Sequence, residues 1–456
     1  MKLLLRRAAI LLFFSLLVLV GLVIFTWQYV NNSSTWVQHP ANRHLYANGK
    51  PINLGTIYDR AGRVLLQMID GSMSFHGDKT VRTAVMHATG DMHNNVETSA
   101  QMAFPDRLSG WNIINGIYRL KSRSGSGSNL TLTLDAELCA AAYEELSGRK
   151  GTVGIYNYQT GEILCMVSAP SFDPENPPDI DADPEKYEGV YINRLLSAVY
   201  TPGSVFKLVT AAAAIENIEN IEEKRFYCDG KLQIGGDLVT CMSAHGEISL
   251  SQALASSCNV AFGQLSLELG PEKLQRYAEL AGFNSSLEVN GIKTAAGRVE
   301  LADAKDVELA WAGIGQYTNT ANPLNFMAYM GAIANDGLLV NPRILRERRV
   351  LSFVNASAGE NKQIFSPDTA KKLKALIRES TLSIYGEDTM RGLGLCAKSG
   401  TAEVGGGKRP HAWFAGFLDS EEFPFAFVVV IENGGFGSRV AAPVALKVLQ
   451  AAVNSF

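Results

Sequence analysis

A serine and a lysine three positions apart form the first group of residues that could carry out chemistry. Ser204 and Lys207 follow Thr201-Pro-Gly and lead into the helix-forming run 208–215, which predicts that both side chains lie on one face near a helix N-terminus. A lysine can deprotonate a serine hydroxyl if burial and nearby cations lower its pKa. Backbone N–H groups at the helix N-terminus can stabilise the oxyanion formed by attack on a carbonyl. The alternative is a helix-capping serine beside a surface lysine.

Ser257 and Asn259 form the second group, with Cys258 between them. The Ser257 hydroxyl could relay a proton to a leaving group, and the Asn259 amide could hold a substrate amide or the amine of Lys207. Because Ser-x-Asn alone is a weak signal, a serine that caps a helix is the alternative.

The run Lys398-Ser399-Gly400-Thr401 is the third group. On a strand, Lys398 and Gly400 point to one face, and Ser399 and Thr401 point to the other. A glycine lets a ligand approach the backbone closely, so a cation, a hydroxyl and an open strand edge could bind a peptide carboxylate. The alternative is an exposed edge strand that ends in a turn.

In this order, the three motifs resemble the set used by penicillin-binding proteins and serine β-lactamases. From its N-terminal apolar segment to its C-terminus, the chain resembles the class B penicillin-binding proteins, which are membrane-anchored D,D-transpeptidases of bacterial cell-wall synthesis. Further segments similar to that family are 55–62, 160–164, 168–174, 313–316, 334–337 and 411–416. One departure is Cys258, which stands where the β-lactamase form of the second motif has an aspartate.

This resemblance implies an α+β fold, in which a mostly antiparallel sheet is flanked by helices, and a peptidoglycan D,D-transpeptidase reaction. Ser204, deprotonated by Lys207, would attack the penultimate carbonyl of a stem peptide that ends in D-Ala-D-Ala. Lys398 and Thr401 would hold the terminal carboxylate of that peptide, with help from Ser399.

The remaining roles also follow from the resemblance. The N–H groups of Ser204 and Thr401 would stabilise the oxyanion, Ser257 would pass a proton to the leaving D-Ala, and Asn259 would orient Lys207 and a substrate amide. The acyl-enzyme would then transfer to an amine of a neighbouring strand. A β-lactam would imitate the donor and stall at the acyl stage. No metal or organic cofactor is expected.

Related proteins with the same motifs leave other functions open. These are a class D-like β-lactamase, an antibiotic sensor and a non-catalytic β-lactam-binding scaffold. No Glu-x-x-Leu-Asn pattern between Asn259 and Lys398 supplies the glutamate that activates water in class A β-lactamases. A class D enzyme normally lacks a segment like 30–128, and a sensor needs more membrane spans or a cytoplasmic domain.

Hydrophobic periodicity and turn residues predict the elements that position these motifs. The predicted elements are a strand over 130–134, a helix from the N-cap Asp135 through about Leu146, a hairpin of 152–158 and 162–168, a mostly helical region over 204–345, strands through Lys398, over 412–418 and over 425–432, and a final helix over about 442–453. Strands at both ends of a domain with helices between them predict one largely antiparallel sheet with helices packed on it.

Residues 8–27 carry no charge, and 20 residues of helix span roughly the ~30 Å hydrocarbon core of a bilayer. Lys2, Arg6 and Arg7 precede this run, and the next charge is Arg43, which predicts a cytoplasmic N-terminus. A cleaved signal peptide is the alternative, although its apolar region is usually shorter. The predicted division is a cytoplasmic tail (1–7), a transmembrane helix (8–29), an extracytoplasmic module ending in a Gly/Ser-rich linker (30–128) and a transpeptidase domain (129–456) in a single-pass protein of the bacterial cell membrane.

The composition excludes several other classes. At 456 residues, with 46% hydrophobic and 19% charged residues, the chain is neither disordered nor a coiled coil. It has 41 Lys and Arg against 45 Asp and Glu, and no long basic stretch, which argues against nucleic acid as a partner. The partners implied by the resemblance are peptidoglycan stem peptides, β-lactams and a membrane glycan polymerase.

The six cysteines are too few for a disulfide scaffold, and no Cys-x-x-Cys pair suggests a zinc ribbon. Cys228 and Cys241 lie in a turn-rich segment, where a disulfide and two free thiols are the alternatives. Cys258 and Cys396, beside the second and third motifs, are interpreted as packing residues.

Overall fold

The computed structural model describes residues 2–37, 46–47, 50–51, 54–69, 72–110, 128–346 and 360–456. The chain forms two compact units. One comprises Met1–Ile57, Leu66–Ser74 and Phe104–Leu130, and the other comprises Tyr58–Leu65, Phe75–Ala103 and Thr131–Phe456. The second unit contains all three motifs, together with parts of the segment 30–128 that the sequence assigned to a separate module. Residues 122–127 of the predicted linker lie outside the described residues.

The described part of the chain contains helices of 4 to 36 residues. They are α1 (Lys2–Val37), α2 (Lys79–Ala84), α3 (Met86–Thr89), α4 (Ala100–Ala103), α5 (Pro105–Ser109), α6 (Ala136–Leu146), α7 (Arg194–Ser197), α8 (Lys207–Asn217), α9 (Leu250–Ala255), α10 (Asn259–Leu269), α11 (Pro271–Leu280), α12 (Asp306–Gly313), α13 (Pro323–Ala334), α14 (Pro367–Tyr385) and α15 (Gly437–Ser455). A 3-10 turn, Gly203–Phe206, precedes α8.

Most strands in the described residues are short. They are β1 (Tyr46–Ala47), β2 (Lys50–Pro51), β3 (Ile57–Tyr58), β4 (Val64–Ile69), β5 (Ser72–Phe75), β6 (Leu130–Thr131), β7 (Gly151–Asn157), β8 (Ile163–Ala169), β9 (Phe226–Cys228), β10 (Lys231–Ile234), β11 (Asp237–Thr240), β12 (Gly246–Ile248), β13 (Glu288–Val289), β14 (Ile292–Lys293), β15 (Leu338–Leu339), β16 (Lys362–Gln363), β17 (Leu395–Ala402), β18 (His411–Leu418) and β19 (Phe425–Ile431).

A five-stranded antiparallel sheet forms the centre of the second unit. Its strand order is β17-β18-β19-β7-β8, so β17 lies at one edge. Every residue of β19 is buried, because helices α13 and α15 pack on β18 and β19. A strand covered on both faces is a continuous run of β-branched and aromatic residues, as Phe-Ala-Phe-Val-Val-Val-Ile is. The predicted α+β architecture, a mostly antiparallel sheet flanked by helices, is confirmed.

Local sequence signals located several elements well. Asp135 is the N-cap of α6, and its carboxylate accepts a hydrogen bond from the backbone N–H of Leu138 at 2.9 Å. The hairpin of β7 and β8 and the strands β18 and β19 lie within one residue of their predicted bounds. Strand β17 continues to Ala402, beyond its predicted end at Lys398. The last helix is longer than predicted and begins at Gly437.

Two predicted elements differ from the structure in detail. The strand over 130–134 ends at Thr131, because Thr133 donates its backbone N–H to Ile344 and its hydroxyl to Ile163 instead of continuing a ladder. The region 204–345, predicted to be mostly helical, also contains short strands of two to four residues between α8 and α12. Periodicity over a long window does not detect such short strands.

Helix α1 contains a candidate membrane span, Leu4–Asn32, whose most apolar 18-residue window has a mean hydropathy of 3.1 and no buried residues. Helix α1 is long and apolar enough to cross a bilayer. Because it also exposes its apolar side chains, it fits a membrane anchor.

A buried ion pair fixes part of the second unit. The Arg82 guanidinium in α2 donates to both carboxylate oxygens of Asp173 at 2.6 and 2.8 Å, and the two side chains are 11% and 6% exposed. The guanidinium holds the pKa of Asp173 below its usual range. The pair therefore joins residues 79–84 to the loop that follows β8.

We expect Asp173→Asn to destabilise the protein by up to about 3–5 kcal/mol, because the buried Arg82 charge keeps only the longer 3.6 Å ion pair with the Glu175 carboxylate. The measurement is thermal unfolding of the detergent-solubilised chain, with the exposed Asp181→Asn as control. Equal melting temperatures for the two variants would contradict a stabilising role for the pair.

Candidate active site

Ser204 lies in the 3-10 turn immediately before α8. The turn is held by Gly203, whose backbone N–H donates to the Gly315 carbonyl at 2.9 Å and whose φ is +57°. This φ suits glycine because it lacks a Cβ. A Cβ added at Gly203 would lie 2.6 Å from the carbonyl oxygen of Thr401. The glycine therefore allows the serine turn and strand β17 to approach each other closely.

The amine of Lys207 connects the first two motifs. Its Nζ lies 2.6 Å from the Ser257 carbonyl oxygen, 2.7 Å from Asn259 Oδ1, 3.1 Å from Ser257 Oγ and 3.2 Å from Ser204 Oγ. The first two oxygens only accept hydrogen bonds, so each takes one N–H from the lysine. A neutral amine has two N–H groups and one lone pair. The lone pair is then left for a hydroxyl, and Ser204 offers one.

Burial sets the charge of both active-site lysines. Lys207 is fully buried, and burial lowers its pKa well below 10.5, with the Lys398 cation lowering it further. Burial also lowers the pKa of Lys398, to about 8. Near neutral pH the site can therefore hold a neutral base at Lys207 beside a cation at Lys398.

Ser257 lies in a break between helices α9 and α10. Its φ is +53°, which is uncommon for a residue with a Cβ, and such strain is concentrated at functional sites. This conformation places Ser257 Oγ 3.1 Å from Lys207 Nζ and 3.2 Å from Lys398 Nζ. A hydroxyl between two amines can pass a proton in either direction.

Asn259 is held at both ends of its amide. Its Oδ1 accepts from Lys207, and its Nδ2 donates to the Thr240 carbonyl at 2.8 Å. This orientation follows from its partners, because the lysine donates and the carbonyl accepts. Asn259 therefore orients Lys207. Because Nδ2 carries two N–H groups, one can donate to Thr240 while the other makes the contact expected with a substrate amide.

Strand β17 carries the third motif along the sheet edge. Lys398 and Gly400 are buried, whereas Ser399 and Thr401 are half-buried, so the side chains alternate between two faces as predicted. A Cβ at Gly400 would lie 2.8 Å from the Pro202 carbonyl oxygen. Gly400 therefore packs the strand against the turn that carries Ser204.

The structure brings five predicted residues into one hydrogen-bonded network: Ser204, Lys207, Ser257, Asn259 and Lys398. The other three, Ser399, Gly400 and Thr401, follow Lys398 along β17.

Free thiols are the alternative that the structure has at Cys228 and Cys241. All six cysteines are free, so no disulfide joins Cys228 and Cys241. Instead, Cys241 Sγ lies 3.9 Å from Cys258 Sγ and 3.6 Å from His245 Nδ1. The side-chain ligand atoms of a set of four residues all lie within 4.8 Å of one another and could hold a metal ion. The set is Cys228, Cys241, His245 and Cys258. Cys396 is buried in β17.

Three contributors to this region were not predicted from the sequence: the carbonyl oxygen of Gly315, the carbonyl oxygen of Ser257 and the side chain of His245. A backbone carbonyl can belong to any residue type, so the sequence does not reveal its role. The run Gly313-Ile-Gly-Gln is nevertheless one of the segments similar to the penicillin-binding proteins. The spacing Cys241-x-x-x-His245 was the available signal for the histidine.

Known proteins resemble the chain in sequence. Residues 151–450 match the family model described as the penicillin binding protein transpeptidase domain. Peptidoglycan D,D-transpeptidase PbpA of Mycolicibacterium smegmatis is 27% identical over 73% of this chain and 74% of its own length. Stage V sporulation protein D of Bacillus subtilis is 29% identical over 71% of this chain and 53% of its own length.

Solved structures resemble the chain in fold. The D,D-transpeptidase domain of a peptidoglycan glycosyltransferase from Eggerthella lenta is 27% identical, with a TM-score of 0.72 over 89% of this chain and 99% of that one. The ceftriaxone acyl-enzyme complex of penicillin-binding protein A from Mycobacterium tuberculosis has a TM-score of 0.76 at 23% identity, over 88% and 98% of the two chains. At that identity, the second match supports the fold alone.

We expect Gly203→Ala to be more damaging than Gly405→Ala. Both glycines have a positive φ, +57° and +68°, but only a Cβ at Gly203 meets backbone atoms, whereas nothing lies within 4 Å of a Cβ at Gly405. Gly405→Ala should lose about 1–2 kcal/mol from left-handed strain. Gly203→Ala should lose more, and Ser204 should be displaced. Thermal unfolding of both variants measures this, and equal losses would contradict the close approach to Thr401.

Proposed function

The chain belongs to the penicillin binding protein transpeptidase family, and we propose that it is a peptidoglycan D,D-transpeptidase that works through an acyl-enzyme at Ser204. Relatives named as peptidoglycan D,D-transpeptidases support this assignment. The enzyme is a serine acyltransferase of this family.

The observation that carries the proposal is the set of partners around Lys207 Nζ. Two oxygens that only accept hydrogen bonds occupy the two N–H groups of a neutral amine, and burial favours that neutral form. The remaining lone pair can take the proton of Ser204 at 3.2 Å. A buried lysine in this state is the general base that a nucleophilic serine needs.

The reaction follows from these positions. A stem peptide ending in D-Ala-D-Ala binds with its carboxylate near Lys398 and the hydroxyl of Thr401. As Ser204 Oγ bonds to the penultimate carbonyl carbon, its proton moves to Lys207. The C–N bond then breaks, and the leaving D-Ala amine receives a proton through Ser257. An amine of a neighbouring strand attacks the ester, loses a proton and releases Ser204 as the cross-link forms.

The donor peptide would lie along the part of β17 from Ser399 to Thr401, because Thr381 of α14 already bonds the backbone N–H and carbonyl of Ala397. That strand is at the edge of the sheet, and an extended peptide can add to such an edge through main-chain hydrogen bonds. The N–H groups of Ser204 and Thr401 would face the carbonyl oxygen as its charge develops. One such donor contributes roughly 3–4 kcal/mol to transition-state stabilisation.

We extend the proposal to topology and partners. Lys2, Arg6 and Arg7, before the uncharged run 8–27, favour a cytoplasmic N-terminus, which puts the catalytic residues on the extracytoplasmic side of the membrane. In the predicted division of the chain, residues 30–128 form an N-terminal module and residues 129–456 form the transpeptidase domain. The module and the membrane anchor would contact a membrane glycan polymerase that supplies new glycan strands.

We expect Ser204→Ala to abolish covalent labelling by a fluorescent penicillin, because the acyl bond forms at Ser204 Oγ. The matched control is Ser256→Ala, since the Ser256 hydroxyl only donates to the Gln252 carbonyl on an exposed helix end. Labelling is measured on the full chain in detergent, with a chase from minutes to hours. Persistent label supports a transpeptidase, and clearance within minutes would indicate a β-lactamase. Unchanged labelling of Ser204→Ala would overturn the assignment.

We expect a bell-shaped pH dependence of the acylation rate. The lowered pKa of Lys207 means that the rate rises as this base loses its proton. It should fall above about pH 8, where Lys398 becomes neutral and attracts the substrate carboxylate less. The measurement is the second-order rate of penicillin labelling from about pH 5 to about pH 10. Lys398→Gln should label slowly without the alkaline fall, and a flat profile for the unaltered protein would contradict both roles.

A further inference from the structure

We propose that Cys228, Cys241, His245 and Cys258 form a tetrahedral zinc site beside the catalytic residues. This differs from the sequence-based expectation of a metal-free protein, in which Cys258 was a packing residue.

Distances within the cluster fit a tetrahedral zinc ion. With Zn–S near 2.3 Å and Zn–N near 2.0–2.1 Å, two ligand sulfurs should be about 3.8 Å apart, and a sulfur and a nitrogen about 3.6 Å apart. The observed separations are 3.9 Å between Cys241 Sγ and Cys258 Sγ and 3.6 Å between Cys241 Sγ and His245 Nδ1. A disulfide requires about 2.05 Å, so the sulfurs are spaced for a shared ion.

The backbone holds these ligands in place. Cys228 ends β9 and is paired with Gly246, the first residue of β12. The backbone N–H of His245 donates to the Cys228 carbonyl at 3.0 Å, and that of Cys241 donates to the Gly230 carbonyl at 2.9 Å. Three ligands therefore come from one small antiparallel substructure, and they meet the fourth at the start of α10.

Backbone N–H groups favour thiolates at Cys241 and Cys258, and a serine hydroxyl orients the imidazole of His245. The backbone N–H of Asn259 points to Cys241 Sγ at 3.3 Å, and that of Ala261 points to Cys258 Sγ at 3.4 Å. Ser243 Oγ lies 3.3 Å from His245 Nε2, which leaves Nδ1 facing the sulfurs. Such contacts orient metal ligands in proteins.

The donor set selects the metal. Three thiolates and one imidazole form one of the common closed sites for Zn²⁺, whereas oxygen ligands suit Mg²⁺ and Ca²⁺. Cys228 and Cys258 are buried, and the other two ligands are half-buried. Because four protein ligands complete the coordination, the ion would be structural and would not bind substrate.

One proposed zinc ligand is next to two active-site residues in the chain. Cys258 lies between Ser257 and Asn259, and both of these residues contact Lys207 Nζ. An ion bound by Cys241 and Cys258 would fix the start of α10 and the backbone N–H of Asn259. The zinc ligands are therefore positioning residues for Lys207. This consequence rests on the proposed function, whereas metal binding does not.

Metal binding is tested on the full chain purified in detergent without added chelator. We expect about one zinc ion per chain by elemental analysis. Replacement by Co²⁺ should give the visible bands of a tetrahedral site and a thiolate-to-metal absorption in the near ultraviolet. Cys241→Ser and His245→Ala should lose zinc, whereas Cys139→Ala, at a buried cysteine in α6, should retain it.

Absence of both zinc and the cobalt thiolate bands from the unaltered chain would overturn the site, as would full retention of zinc by Cys241→Ser and His245→Ala. The cobalt spectrum of the unaltered chain makes the test independent of how well the variants fold. For the positioning role, zinc removal should lower the penicillin acylation rate at unchanged secondary structure, and zinc should restore it. Unchanged acylation would overturn that role, whereas failure of the proposed function would appear separately as label that persists in Ser204→Ala.

Discussion

The active site depends on one buried amine that is surrounded by neutral oxygen atoms. A lone charge in the protein interior is costly, so burial drives Lys207 toward its neutral form. A carboxylate partner would have favoured the charged form, whereas a carbonyl and an amide oxygen leave the amine neutral and orient it. Since those oxygens belong to Ser257 and Asn259, the same contacts determine the protonation state of the base and the arrangement of the two chain segments that they join.

The rigid elements around this amine explain why glycines occur where strands and turns meet. Gly203, Gly315 and Gly400 each bring backbone within a distance that a Cβ would prevent. The turn carrying Ser204 can therefore lie against β17, whose first half is covered by α14 through the bonds of Thr381 to the backbone of Ala397. Catalytic geometry of this kind depends on close-packed backbone more than on the side chains that perform the chemistry.

The sequence predicted the residues of the site better than the contacts among them. Ser204, Lys207 and the run from Lys398 to Thr401 have distinctive types and spacings, and the apolar run of β19 has a distinctive pattern. The left-handed φ of Ser257 and the carbonyl that accepts from Lys207 arise only after α9 and α10 pack, so no local pattern encodes them. The short strands β9–β12 were missed because periodicity over a long window does not detect them, and the convergence of Cys228, Cys241 and His245 on Cys258 was missed with them.

The strand order of the sheet has a consequence for biosynthesis. Strands β7 and β8 are made early, but β19, which pairs with β7, comes far later in the chain. The hydroxyl of Tyr158, just after β7, likewise donates to the Leu418 carbonyl, 260 positions away. Such distant pairings make folding slow, because a long loop must close before the contacts that compensate for it can form. Until β19 is synthesised, the apolar edge of β7 has no partner and is open to aggregation. The nascent chain therefore needs protection through most of its synthesis, and the domain can complete its core only after its last strands are made.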